Sequence, residues 1–205
     1  MIALVDYGMG NLRSVEKALE KVGFNVLRTS NPEDLDKADA IVVPGVGAFG
    51  DAIHNLERLG LKNKVIHLIN QGKPYLGICL GLQILFEYGY EFGQHEGLGI
   101  LKGSVVRFDE KLPIKIPHMG WNQIHKKKNS KMFEGIKEGE FFYFVHSYYA
   151  NPEDKSIVAT TTDYAIDFCS SVEVDNIWAV QFHPEKSQTA GLKLLDNFRK
   201  FVYGI

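Results

Sequence analysis

A cysteine near the middle of the chain has the surroundings of a chemical nucleophile. Residues 77–83 read Gly-Ile-Cys-Leu-Gly-Leu-Gln, with an apolar run before Cys79 and a helical spacing of Leu82, Leu85 and Phe86 after it. A nucleophile at such a strand-to-helix turn forms a nucleophile elbow, where flanking glycines leave room that a Cβ would fill. A helix N-terminus also lowers the pKa of a nearby thiol. Free cysteine is often simply buried, so this segment alone leaves a nucleophile and a structural cysteine both open.

A cysteine nucleophile requires a base within hydrogen-bond reach and a group that orients the base. His183 and Glu185 are the best pair, because they directly follow the predicted strand 177–182 and Pro184 between them stiffens the link. In open α/β sheets, sites lie at such strand ends. His146 also follows a predicted strand but has no acidic neighbour. We therefore expect a structural or supporting role for His146.

Acyl transfer also requires donors for an oxyanion, and backbone N–H groups serve well because their geometry is fixed in advance. Residues 44–47 read Pro-Gly-Val-Gly after the predicted strand 40–43, and the N–H of Leu80 lies next to Cys79. A plain turn between strand and helix is the commoner explanation of Pro-Gly-x-Gly taken alone. A dinucleotide-binding loop is disfavoured because the third glycine is absent. No His/Cys cluster has the spacing of metal ligands, so we expect no metal site.

Composition narrows the class of protein. The chain has 205 residues, a formal net charge of −2 and two cysteines. This length favours one domain, residues 1–205, and the net charge does not indicate the basic surface of a nucleic-acid-binding protein. The basic run 126–128 belongs to no recognised motif and is expected to be a solvated loop. The absence of a signal-like segment, of membrane-length apolar runs and of a disulfide framework predicts a cytoplasmic protein that contacts no membrane.

The order of predicted elements indicates an α/β fold. In the first half, strands alternate with helices, which is typical of parallel βαβ units in a sheet covered on both faces. After about residue 99 the strands become shorter, and Asp175-Asn176 marks a hairpin turn between the last two. We predict a mostly parallel central sheet flanked by helices, with an additional antiparallel sheet from the C-terminal half. The predicted strands are 2–6, 24–28, 40–43, 74–78, 104–108, 121–124, 141–145, 157–162, 165–174 and 177–182; the predicted helices are 12–22, 51–59, 61–70, from Cys79 toward Tyr88, and 189–203.

The motifs at 45–47, 77–83 and 183–185, in this order, resemble the class I (triad-type) glutamine amidotransferases, whose fold is flavodoxin-like. The resemblance spans the whole chain. Residues 6–12 (Asp-Tyr-Gly-Met-Gly-Asn-Leu) and 117–122 (Pro-His-Met-Gly-Trp-Asn) are most similar to the branch that supplies ammonia to imidazole glycerol phosphate synthases in histidine biosynthesis.

The resemblance implies a glutaminase in which Cys79 attacks the side-chain amide of glutamine, His183 acts as base and then acid, and Glu185 orients the imidazole. A γ-glutamyl thioester forms and is hydrolysed to glutamate. The resemblance assigns the oxyanion donors to the backbone amides of Val46 and Leu80. It assigns glutamine binding to Gly47, Gln83, Ser147 and Tyr148. No cofactor or metal is implied for this step.

The partner implied by the resemblance is a (β/α)8-barrel cyclase subunit, which forms a heterodimer with the glutaminase and uses the ammonia to make imidazole glycerol phosphate and an aminoimidazole carboxamide ribonucleotide. The segments not needed for the triad are then predicted docking residues: Met9, Gly10, Asn11, Met119, Trp121, Asn122 and Lys186. For Met119 and Trp121, core packing is the alternative. Two other functions stay open, namely a glutaminase for anthranilate or aminodeoxychorismate synthase and a non-catalytic glutamine-binding subunit.

Overall fold

The N-terminal part of the chain alternates strands with helices, as expected for βαβ units. The computed structural model describes all residues, 1–205. Helix α1 begins at an Asn11 cap, whose side chain accepts a hydrogen bond from the Ser14 N–H. The elements are β1 (Ile2–Val5), α1 (Leu12–Lys21), β2 (Val26–Thr29), α2 (Pro32–Lys37), β3 (Ile41–Val43), α3 (Phe49–Arg58), α4 (Leu61–Asn70), β4 (Tyr75–Ile78) and the short α5 (Leu80–Gln83).

The remaining chain is rich in strands and ends in one long helix. Two 3-10 turns, Lys155–Ile157 and Pro184–Lys186, interrupt it. The elements are β5 (Phe86–Gly89), β6 (His95–Glu96), β7 (Leu101–Arg107), β8 (His118–Gln123), β9 (His125–Lys126), β10 (Phe141–His146), β11 (Tyr148–Pro152), β12 (Val158–Asp163), β13 (Asp167–Val174), β14 (Ile177–Val180) and α6 (Gln188–Tyr203).

One sheet runs through the molecule in the order β2-β1-β3-β4-β14-β13-β11-β7-β5-β6. The first five strands are mutually parallel, and β13 is antiparallel to β14 through the predicted turn at Asp175, where Val174 pairs with Ile177. Strands β12 and β9 extend from β13, whereas β8 and β10 form a separate two-stranded antiparallel sheet. The predicted fold class is confirmed.

The parallel strands are buried on both faces, which explains their nearly continuous apolar sequences. Successive side chains of a strand point to opposite faces of the sheet. Val5 and Val43 accordingly lie in one core and Leu4 and Val42 in the other, all four fully buried. Helices α3 and α4 cover the first core, and α1 and α6 cover the second.

The predicted helix from Cys79 toward Tyr88 is wrong. Helix α5 ends at Gln83, and β5 begins three residues later and pairs in parallel with β7. The Gly81 carbonyl, which a longer helix would offer to the Leu85 N–H, instead accepts from the buried Tyr75 hydroxyl at 2.7 Å, and Leu85 N donates to Leu82 O. The apolar residues of this segment are buried on all sides, so their spacing did not mark one helix face.

Other differences are smaller. Helix α2 and strands β5, β6, β9 and β11 were not predicted, and β2 starts two residues later than expected. Residues 151 and 152, which lie outside the predicted strands, end β11, where Pro152 pairs with Gly103 at the end of the ladder. A strand end tolerates proline because the missing N–H costs little there.

Candidate active site

Strand register places the predicted nucleophile and base side by side. β4 and β14 are parallel neighbours, with Ile78 opposite Val180, so Cys79 and the segment after β14 leave the sheet at the same edge. The Cys79 N–H donates to the Val180 carbonyl at 2.8 Å. The site therefore lies at the carboxyl ends of parallel strands, as predicted.

The backbone of Cys79 is strained in the manner of a nucleophile elbow. Its φ of 55° and ψ of −105° lie in a region that side-chain-bearing residues rarely adopt. A Cβ added to Gly77 would collide with the Gly81 carbonyl, and one added to Gly81 would collide with the Val43 carbonyl. The glycines are thus required by close backbone approach, which is the steric reason expected from the sequence.

His183 and Glu185 form a buried pair. Nδ1 of His183 lies 2.8 Å from Oε1 of Glu185, and their side chains are 3% and 2% exposed. The turn is held by the His183 N–H, which donates to Tyr143 O at 2.9 Å, and by Ser187, whose hydroxyl donates to His183 O at 2.6 Å. Gly191 lets α6 pack directly on the Pro184 carbonyl, where a Cβ would collide.

The environment of His183 favours its protonated form. Burial lowers the pKa of the imidazole, but the charge of Cys79 and the hydrogen bond and charge of Glu185 outweigh this effect and raise the pKa to about 10. Nε2 of His183 is buried without a hydrogen-bond partner, so the edge that must exchange a proton with substrate is free.

A cavity of about 350 Å³ opens in front of Cys79. The residues predicted to bind glutamine and the two predicted oxyanion residues all line it: Val46, Gly47, Leu80, Gln83, Ser147 and Tyr148. Sequence reasoning assigned no site role to Glu91, Phe92 and Pro117 on its wall. Glu91 and Phe92 stand in a loop without a recognisable motif, whereas Pro117 begins the recognised motif 117–122 but was given no role in the site. Glu91 also accepts a hydrogen bond from the Phe49 N–H at 3.0 Å, at the start of α3.

The two predicted oxyanion donors differ in availability. The Leu80 N–H donates to the Gly45 carbonyl at a long 3.3 Å, so it is engaged within the chain. The Val46 N–H makes no hydrogen bond within the chain, and the Val46 residue is 43% exposed. In this conformation the two N–H groups do not form a free pair.

His146 lines the cavity and is bonded to His118, which lies outside the lining and which sequence reasoning did not select. His146 Nδ1 lies 2.8 Å from the Tyr148 carbonyl, and His146 Nε2 lies 2.9 Å from His118 Nδ1. The carbonyl can only accept, so His146 donates through Nδ1 and accepts from His118, whose Nε2 accepts from Asn122 Nδ2 at 3.2 Å.

Burial lowers the pKa of His118 to about 4 and that of His146 to about 3, the latter helped by the nearby charge of His118 and opposed by its bond to Tyr148. Both rings are therefore neutral at pH 7, which is the state that the hydrogen-bond chain requires.

The predicted docking residues do not all present their side chains to solvent. Met119 and Trp121 are 62% and 46% exposed, which excludes the core-packing alternative for both. Lys186 is exposed and its ammonium lies 5.7 Å from the ring centre of Tyr143, which also packs edge-on against Trp121. Met9 and Gly10 are half-buried and Asn11 is exposed.

Asn122 differs from these residues. Its amide is turned inward and donates to the Asp163 carbonyl at 2.9 Å as well as to His118.

Two classes of feature are absent. No group of three or more His, Cys, Asp or Glu side chains is arranged to hold a metal ion. None of the helices combines the length and apolarity needed to span a membrane.

Comparison with known proteins assigns nearly the whole chain to one protein family. The family described as class I glutamine amidotransferase matches residues 3–201. A protein of Aquifex aeolicus named imidazole glycerol phosphate synthase subunit HisH is 60% identical over 198 residues, covering 96% of this chain and 95% of the relative. A Pyrococcus furiosus protein of the same name is 54% identical over 200 residues, covering 97% and 98%.

Solved structures agree in fold. A crystal structure of a glutamine amidotransferase has a TM-score of 0.77 at 19% identity and covers 100% of both chains. The structure titled PurLQS from Thermotoga maritima has a TM-score of 0.76 at 20% identity, covering 98% of this chain and 97% of that one. At such identities the likeness concerns the fold alone. With the family match and the full-length relatives, it follows that this chain belongs to the class I glutamine amidotransferases.

Proposed function

We propose that this chain, as one domain over residues 1–205, is the glutaminase subunit of an imidazole glycerol phosphate synthase. The observation that carries the reaction is the strained Cys79 at the mouth of a cavity, beside a buried His183–Glu185 pair whose Nε2 is free. The names of full-length relatives at 54% and 60% identity support the choice of synthase.

In the proposed reaction His183 takes the proton of Cys79, and the thiolate attacks the side-chain carbonyl carbon of glutamine. The tetrahedral intermediate collapses to a γ-glutamyl thioester as His183 returns the proton to the leaving ammonia. Water, activated by His183, then hydrolyses the thioester to glutamate and restores Cys79. Glu185 holds the imidazole in the tautomer and orientation that these transfers need. Thiolate, imidazole and backbone donors suffice, so no cofactor or metal is proposed.

The walls of the cavity suit an amino acid with a side-chain amide. Glu91 offers a carboxylate to the α-ammonium of glutamine. Both amide hydrogens of Gln83 are already used, toward Tyr148 O and Gln181 Oε1, so only its oxygen remains to accept from substrate. The backbone of Gly47 and the side chains of Ser147 and Tyr148 complete the proposed binding set.

The amides of Val46 and Leu80 are the proposed oxyanion donors. Because the Leu80 N–H is engaged by Gly45 O, the substrate oxygen must replace that carbonyl before the pair can act. Such a site hydrolyses glutamine slowly until residues 45–47 move.

The proposed partner is a (β/α)8-barrel cyclase subunit that receives the ammonia. The exposed aromatic and basic side chains around Trp121, Tyr143 and Lys186 offer one docking area, and the loop containing Met9, Gly10 and Asn11 offers another. Tryptophan and methionine are enriched in interfaces.

The test is glutamine-dependent synthesis by the complex with its cyclase subunit. Cys79→Ala should abolish synthesis from glutamine and leave synthesis from added ammonium unchanged, because only the ammonia source is lost. Cys169→Ala is the matched control, since this second thiol is buried away from the cavity. Loss of both syntheses in Cys79→Ala would assign Cys79 a structural role instead.

Coupling to the partner is measured in the same system. The isolated chain should hydrolyse glutamine far more slowly than the complex with its nucleotide ligand. High activity of the isolated chain, unchanged by the partner, would contradict the coupling. Co-purification with a chorismate-using enzyme instead of a barrel cyclase would contradict the choice of synthase.

A further inference from the structure

Gln181 is a buried polar residue beside the nucleophile with no role in the scheme above. It directly follows β14, so the register that pairs Val180 with Ile78 brings it next to Cys79. The residue is 0% exposed, and its side-chain nitrogen Nε2 lies 3.6 Å from the Cys79 sulfur. That distance is a hydrogen-bond contact for a sulfur acceptor.

The orientation of the Gln181 amide follows from its neighbours. Gln83 Nε2 lies 3.0 Å from the Tyr148 carbonyl, which has no hydrogen to donate, so the nitrogen end of Gln83 must face it. The second hydrogen of the same nitrogen points to Gln181, 3.0 Å away, and requires an acceptor there. Oε1 of Gln181 therefore faces Gln83, and its NH₂ group faces the sulfur.

We propose that Gln181 donates a hydrogen bond to the Cys79 thiolate and stabilises it during attack on the substrate. A donor aimed at the charged form of a thiol favours that form. The titratable groups that face or influence this site are His183 with Glu185 from the segment after β14, Tyr7 from the loop after β1, and His146 at the end of β10. Unlike the imidazole of His183, the Gln181 amide supplies its donor at every stage of proton transfer.

This inference rests on the proposed function, since it assigns Gln181 to the nucleophile of that reaction. The experiment is the rate of Cys79 alkylation by iodoacetamide as a function of pH, read by mass spectrometry in the full-length chain. Gln181→Met is the decisive variant, because it removes the amide donor from a side chain of similar length and adds no charge beside the sulfur. Cys169 is an internal reference of low reactivity, since burial raises its pKa to about 12.

In Gln181→Met the pH midpoint of Cys79 alkylation should rise by about one unit, equivalent to about tenfold slower alkylation below the midpoint. Gln181→Leu should shift it in the same direction. For glutamine hydrolysis by the complex, kcat should fall about tenfold with KM unchanged, because Gln181 does not line the cavity. Gln71→Leu, at an exposed helix end, is the control and should change neither reading.

A folded Gln181→Met protein with the wild-type alkylation midpoint would overturn the inference. Thermal unfolding establishes that each variant is folded, and Gln181→Met decides the matter where Gln181→Leu does not fold. The proposed function and the role proposed for Gln181 are contradicted by different results. A wild-type complex that hydrolyses no glutamine contradicts the proposed function, whereas the alkylation midpoint tests the Gln181–Cys79 contact without any turnover.

Discussion

The turn that carries Cys79 and the loop that carries Val46 form adjacent walls of one cavity, yet they are held in different ways. The Cys79 turn is fixed by the Cys79–Val180 bond at 2.8 Å, by the Tyr75–Gly81 bond at 2.7 Å and by glycines that admit no Cβ. The loop is anchored at Pro44, which accepts from Tyr7 at 2.6 Å, but beyond it Gly45 makes only a 3.3 Å bond and Val46 is 43% exposed.

This difference indicates how the two halves of the reaction are controlled. The proposed nucleophile, Cys79, is placed by packing before any ligand binds, whereas the proposed oxyanion donors are not assembled. The loop also touches a predicted docking segment, since a Cβ added to Gly47 would lie 2.6 Å from Cε of Met9. A partner docked at Met9, as proposed, would therefore act on the loop and leave the Cys79 turn in place.

The largest effect on glutamine hydrolysis is expected when the predicted base, His183, is removed. His183→Ala removes the base that takes the Cys79 proton, so glutamine hydrolysis by the complex should fall by about 10⁴-fold or more, measured as glutamate release. The exposed His54 provides the control His54→Ala, which should retain activity. A His183→Ala complex within tenfold of wild type would contradict the assignment of the base.

Close packing of the Cys79 turn is tested by Gly81→Ala. The added methyl collides with the Val43 carbonyl, a backbone atom that cannot move aside, so the free energy of unfolding in urea should fall by about 3 kcal/mol. The matched control is Gly72→Ala, at a φ of +88° with open space around the glycine, which should cost only about 1 kcal/mol. Equal losses in the two variants would show that the turn is not tightly packed.

Two tyrosine variants test whether the Cys79 turn and the Val46 loop can be perturbed independently. Tyr7→Phe removes the bond to Pro44 O, and Tyr75→Phe removes the bond to Gly81 O, each at a cost of about 1 kcal/mol. Tyr7→Phe should lower glutamine turnover several-fold and leave iodoacetamide alkylation of Cys79 unchanged, whereas Tyr75→Phe should slow both.

Turnover and alkylation, measured in both variants, test whether the Cys79 turn and the Val46 loop are held independently. If Tyr7→Phe slowed alkylation as much as Tyr75→Phe, the turn and the loop would behave as one rigid unit. The control is Tyr203→Phe, on the last turn of α6.

The last expected effect concerns acid, which should act mainly on the His118–His146 pair bonded to the Tyr148 carbonyl. The pKa of both rings is lowered in the fold, to about 4 and about 3, so the unfolded chain binds more protons below pH 6.5. Their contribution to stability is complete above about pH 6.5 and is lost as the pH falls toward 4.

The measurement is the free energy of unfolding between pH 7 and pH 4.5. Two such histidines add at most about 2.7 kcal/mol per pH unit to its slope. The double variant His118→Phe/His146→Leu should be less stable at pH 7 but show a shallower slope, whereas His54→Gln should retain the wild-type slope. An unchanged slope in the double variant would contradict the neutral, hydrogen-bonded state of the pair.

The sequence predicted most of what depends on local chemistry. Cys79 between close glycines, His183-Pro184-Glu185 after a strand, and the Pro-Gly-Val-Gly turn were each recognisable because their residue types are dictated by the backbone or by the reaction. The structure brings Cys79 and the His183 segment to the same edge and all the predicted glutamine-binding residues to one cavity. Their roles remain predictions for the experiments above.

The sequence by itself determined the family, the α/β class and the position of the proposed nucleophile, Cys79. Each of these depends on local features, namely apolar patterns, motifs and sterically required glycines, that can be seen in the sequence. Tertiary structure decided the rest. It ended α5 at Gln83 by giving the Gly81 carbonyl to Tyr75, and it left Trp121 exposed. It also turned the Gln181 amide to the sulfur. The Gln181–Cys79 contact joins residues 102 positions apart in sequence, and the register of β14 against β4 selects that partner.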